Sequence, residues 1–163
     1  MPDMAQSQTV LASLLDPASF EILKPKEVSR VEKTDAEWRA MLSAEQYFIA
    51  RNKGTERPFC GRLLDNKKTG YYLCVCCQLP LFSSNTKFNS GTGWPSFFQA
   101  IEPNVVEEHD HSHGMIRKEI LCARCDCHLG HVFDDGPRPT GLRYCVNGES
   151  LTFIETPMAA KGT

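Results

Sequence analysis

The chain has 163 residues, a formal net charge of -2 at pH 7 and a pI near 6.2, enough for one domain with a real core and too short for two full-sized ones. That balance leaves no electrostatic footprint for nucleic acid or an anionic membrane surface. No run approaches the ~18 apolar residues of a membrane span, and the apolar stretch near the start is broken by Asp16 and Pro17, so no signal peptide is read.

A soluble protein of a reducing cytoplasm is therefore expected. In that setting eight cysteines point to metal or redox chemistry sooner than to structural disulfides.

Along the chain, residues 1–30 form a polar, weakly patterned leader, expected to be a flexible arm that packs partly on the domain. Thr34 with Glu37 three positions on reads as a capping box ahead of Trp38, Met41 and Leu42, and Ser43 with Gln46 repeats the pattern before Tyr47, Phe48 and Ile49. Two short helices are expected. From GTERPF onward the texture changes to short runs such as YYLCV, LPLF and TKF, punctuated by DNKKTG, NSGTG, DDGPRPTG and VNGES. This predicts a mainly β, α+β domain of antiparallel sheets, a small sandwich or barrel with short N-terminal helices, spanning 31–157 and followed by a tail, 158–163. EEHDHSHGM, too polar for core, reads as a strand-connecting loop.

Cys74 and Cys77 make one C-x-x-C, and Cys122 and Cys125 make a second. Two tight turns that each present two thiolates supply the tetrahedral four-sulfur cage zinc prefers, and a closed cage of this kind is structural. Zinc stapling two distant turns is the expectation. A thioredoxin-type redox pair is disfavoured because neither pair opens a helix after a strand. Cys76 and Cys127 lie beside these knuckles and read as small apolar residues with reduced thiols. The histidines of HDHSH, His109, His111 and His113, are a weaker metal alternative.

Cys60 and Cys145 remain. Near Cys145 stand Arg143, Asn147 and, upstream in CHLGHVF, His128 and His131. A cysteine nucleophile works as a thiolate, and cationic or hydrogen-bond-donating neighbours lower a thiol pKa.

GTERPF, CVCC with LPLFSSNTKFNSGTGWPSF, CHLGHVFDDGP and GLRYCVNGESLTF together resemble, in order, the signature blocks of methionine sulfoxide reductases of the B type, which act on the R epimer. The resemblance runs from about residue 34 to about residue 155 and makes 31–157 a reductase domain. It implies that the Cys145 thiolate attacks the sulfoxide sulfur, releasing methionine and leaving a sulfenic acid. It further implies that His131, or His128, protonates the departing oxygen, and that Asn147 and Arg143 line and polarise the site. Trp94 would hold the substrate methyl, with Phe153 helping to wall the pocket. Thr92 stands where many relatives have a resolving cysteine. Cys60 occupies a second resolving position, implying a transient Cys60–Cys145 disulfide reduced by thioredoxin; a one-cysteine cycle is the alternative. Glu149 replaces a usually small residue and either faces solvent or raises the nearby thiol pKa.

Two function classes are kept open on these residues: a reductase of oxidised methionine, free or in proteins, and a non-catalytic zinc module that binds a protein or peptide.

Overall fold

The computed structural model describes residues 8–157. Both expected helices are present, α1 at Asp35–Met41 and α2 at Ala44–Arg51, and both capping boxes are closed. The Thr34 N–H donates to Glu37 Oε1 at 2.8 Å and the Glu37 N–H returns to Thr34 Oγ1 at 3.2 Å. Each box satisfies two backbone donors that the first turn leaves without partners. Trp38 is the buried residue of α1, and the Arg51 guanidinium lies 4.1 Å over its ring.

The sheets are antiparallel throughout. A three-stranded sheet has the order β11 (Leu151–Glu155), β3 (Gly70–Cys74), β4 (Pro80–Ser83). A six-stranded sheet runs β5 (Lys87–Phe88), β6 (Ser96–Phe97), β10 (Arg143–Val146), β9 (His128–Phe133), β8 (Arg117–Cys122), β7 (Val105–Asp110). The two pack through aromatic side chains. Phe82 of the small sheet stacks on Phe97 of the large one with centroids 4.4 Å apart, and Tyr72 meets the same ring edge-on at 5.1 Å. Tyr144 closes the group against Phe82 at 5.7 Å. All four rings are buried, which supplies much of the core of a domain this size.

Within the stretch read as an arm, β1 (Thr9–Ala12) pairs with β2 (Lys26–Ser29). It is clamped by buried Asn104, whose Oδ1 accepts from the Ser13 N–H at 2.8 Å and whose Nδ2 donates to the carbonyls of Ser13 and Pro80, each at 2.7 Å.

One expectation is corrected. Glu107, Glu108, His109 and Asp110 belong to strand β7, and only the following Ser112–Gly114 forms a turn. β7 is the edge of the large sheet and its side chains are mostly exposed. An edge strand with little buried surface carries the polar composition of a loop.

Candidate active site

Strand alternation builds the site. In β10, Tyr144 and Val146 are buried toward the core, so Arg143 and Cys145 share the opposite face. Register then lines up Ser96, Cys145, His131 and Glu119 across β6, β10, β9 and β8. Gly130 makes the close strand approach possible, since a Cβ there would lie 2.0 Å from the Cys145 carbonyl oxygen.

A cavity of about 320 Å³ opens on this face, lined among others by Cys145, Thr92, Trp94, His128, His131 and Arg143. Asn147 also lines it. Residues far apart in the chain thus converge on a volume suited to a small side chain.

The groups around the cavity are held by partners that the local sequence did not reveal. His131 Nε2 meets Asp110 Oδ2 at 2.7 Å, and Arg117 Nη2 approaches the same oxygen at 3.4 Å. A backbone hydrogen bond from Ser112, and then His131, hold the Asp110 carboxyl well below the usual carboxylate range. Buried His128 donates Nδ1–H to Glu119 Oε2 at 2.6 Å, and Glu119 Oε1 pairs with Lys53 Nζ at 2.8 Å. Burial lowers the His128 pKa against the opposing pull of Glu119, which favours the neutral imidazole. Arg143 is held by Asp135 at 2.8 Å and lies 4.4 Å over the Phe133 ring.

Trp94 donates Nε1–H to the Glu56 carbonyl at 2.9 Å, which sets its ring orientation. Asn147 is committed at both ends of its amide: Oδ1 accepts from the Glu56 N–H at 2.9 Å, and Nδ2 donates to the Leu129 carbonyl at 3.2 Å. The buried Glu56 carboxyl accepts in turn from the Glu149 N–H at 3.0 Å. Glu56, quoted within GTERPF but given no role there, thus organises both Trp94 and the turn after Cys145.

Burial pushes the Cys145 thiol up, and the lowering effects of Arg143 and the Thr92 hydroxyl only partly offset it. The sequence pointed to lowering neighbours, which are present; enclosure outweighs them. The carboxyl that adds to this rise is Glu56. Glu149 instead turns toward Arg62, 3.7 Å away.

Two residues named in the sequence lie outside the cavity lining. Phe153 sits on β11, packed 4.9 Å from Tyr72 beside the core. Cys60 is exposed on the connection between α2 and β3. Its neighbour Phe59 donates its N–H to the Gly93 carbonyl at 2.7 Å, tying that loop to the one that carries Thr92 and Trp94.

The sulfurs of Cys74, Cys77, Cys122 and Cys125 all lie within 4.8 Å of one another and are able to hold a metal ion. Two of the contacts, Cys74 to Cys125 and Cys77 to Cys122, are 3.5 Å. A zinc–sulfur distance of ~2.3 Å gives tetrahedral edges of ~3.8 Å, so the donor set fits. His109, His111 and His113 form no such group among the described residues.

Fold and cavity together define a mainly β domain with a single thiol enclosed by two carboxylate-paired histidines. The chain belongs to the SelR domain family, whose sequence pattern matches residues 42–155. It is 60% identical over 127 residues to a peptide methionine sulfoxide reductase MsrB of Pseudomonas putida strain W619, covering 77% of this chain and 96% of that protein. Proteins of the same name from Herminiimonas arsenicoxydans and Hahella chejuensis are 59% identical over 129 residues and 58% over 135. Those matches cover 78% and 82% of this chain, and 94% and 97% of the respective relatives.

Proposed function

We propose that the chain is a peptide-methionine (R)-S-oxide reductase with Cys145 as nucleophile. The observation that carries this reading is the cavity in which Cys145, paired in register with His131, shares its walls with Trp94 and Arg143. In this reading the Trp94 ring offers an apolar surface to the substrate methyl, and His128 and His131, which line the same cavity, receive the sulfoxide oxygen. Such an arrangement accepts one sulfur configuration and turns the other's oxygen toward the tryptophan.

Cys145 sulfur attacks the sulfoxide sulfur while the oxygen is protonated, His131 being the principal acid. The hydroxyl of the resulting adduct passes from the substrate sulfur to the Cys145 sulfur as the new S–S bond breaks and methionine departs, leaving a sulfenic acid on Cys145, so the substrate gains the two electrons that the cysteine loses. Resolution by the Cys60 thiol then forms a Cys60–Cys145 disulfide and releases water. A thioredoxin dithiol reduces that disulfide by exchange. Because disulfide formation requires Cα atoms within about 7 Å, the exposed Cys60 loop is expected to move during turnover. Asn147 acts here by positioning, since its amide is spent on Glu56 and Leu129.

Cys74, Cys77, Cys122 and Cys125 would hold one structural zinc, joining the turn after β3 to the turn after β8. A closed thiolate cage of this kind contributes folding energy and no reaction chemistry. No helix among the described residues is long and apolar enough to cross a membrane, and a reducing cytoplasm suits the free thiols.

The test is turnover with thioredoxin, its reductase and NADPH on separate R and S epimers, for wild type and Cys145→Ser. Activity on R alone, lost in the variant, is expected. A folded, zinc-loaded protein inactive on both epimers, with dithiothreitol as well as thioredoxin, would refute the reading in favour of a binding module.

A further inference from the structure

Two cysteines are used by neither the proposed cage nor the reaction. Cys76 and Cys127 are both buried, 4% and 0% exposed, and their sulfurs with that of Cys74 all lie within 4.8 Å of one another. Chance packing of small residues would explain their burial. It does not explain the cation placed against them. Arg51, running back from the end of α2, sets Nη1 at 3.7 Å from Cys76 Sγ and 3.0 Å from the Cys125 carbonyl oxygen, with its plane fixed over Trp38. A guanidinium held this way favours negative charge on the sulfur it meets. The Cys76 N–H also points to Cys74 Sγ at 3.4 Å.

We propose that Cys74, Cys76 and Cys127 form a second metal site, sharing Cys74 as a bridging thiolate with the four-cysteine cage, and that its ligand is a soft monovalent cation, Cu(I). Three sulfurs, with no fourth donor grouped with them among the described residues, match the trigonal coordination that Cu(I) accepts, and thiolates select soft ions over hard ones. Cys76 and Cys127 would ligate as thiolates, and Arg51, beside Cys76, offsets part of the negative charge. The proposal rests on the zinc reading only through the shared Cys74.

The test uses the full zinc-loaded chain with Cys60→Ser and Cys145→Ser, so that the six clustered thiols are the only ones left. It is titrated with Cu(I) without oxygen, against bathocuproine disulfonate as competing chelator, and copper and zinc are counted in the same desalted sample. One Cu(I) per chain with zinc unchanged is expected, and adding Cys76→Ser and Cys127→Ser abolishes copper uptake while zinc stays. Copper uptake undiminished in that variant, or one zinc lost for each copper gained, overturns the proposal. Copper-edge X-ray absorption of the chain with both cysteines intact gives a reading independent of the variant's folding: three sulfur neighbours support the site and two overturn it. In a chain that never holds zinc, copper uptake lost with Cys76→Ser and Cys127→Ser would support this site while sinking the zinc reading, and uptake retained in that variant would overturn it.

Discussion

Cys145 and His131 are direct cross-strand partners, opposite one another on β10 and β9. Their side chains therefore share one face of the sheet at the spacing of a paired residue, and Asp110 holds the far side of the imidazole. Replacing His131 with glutamine keeps a polar side chain and removes the acid. Single-turnover kcat/KM on the R epimer is expected to fall by about 10²- to 10⁴-fold. Asp110→Asn, which leaves the imidazole in place, should cost less; equal losses would mean that Asp110 does more than orient.

The enclosed thiol makes a pH prediction with a definite sign. Burial raises the Cys145 pKa, so in the free protein the thiolate fraction at neutral pH is smaller than that of an ordinary cysteine and grows as pH rises. Alkylation of Cys145 by iodoacetamide should keep accelerating through the alkaline range. Arg143→Met removes a lowering influence and moves the curve further up. A rate already level at about pH 7, below the ordinary thiol pKa, would contradict this.

Thr92 lines the same cavity as Cys145. In a Cys60→Ser background, which is expected to lose thioredoxin-dependent turnover while still yielding one equivalent of methionine, Thr92→Cys should restore turnover. The check is mass spectrometry after one turnover, which should find the peptide carrying the Thr92→Cys substitution joined by a disulfide to the peptide carrying Cys145. Full activity of Cys60→Ser alone would instead point to the one-cysteine cycle.

Phe97 joins the two sheets, fully buried between Tyr72 and Phe82. Phe97→Ala should cost about 3–5 kcal/mol in urea unfolding. A loss under about 1 kcal/mol would mean that the sheets close over the void, as cores seldom do.

The four-cysteine cage predicts a linked loss. Cys122→Ser should drop bound zinc to near zero and, since metal binding here is folding energy, lower Tm by roughly 10 °C or more. Retention of one zinc at unchanged Tm would show that the cage is not the metal site.

Features that rest on near neighbours were legible in the linear chain. Both helices could be read because a capping box is complete within four residues, and the paired C-x-x-C motifs because each turn brings its own two sulfurs together. The β character, the isolated Cys145 and the family blocks were legible for the same local reason. Which groups face the thiol depended on the folded arrangement. Asp110 looked like part of a polar loop until β7 took its place at the sheet edge, and Glu119 becomes the partner of His128, and Lys53 of Glu119, only through strand register and the chain's return from α2. Phe153 matched a pocket block by position, yet strand pairing sent it to the other sheet. The direction of the Cys145 shift was also beyond a linear reading: charge is written in residue types, whereas burial is the sum of every segment that closes over the site.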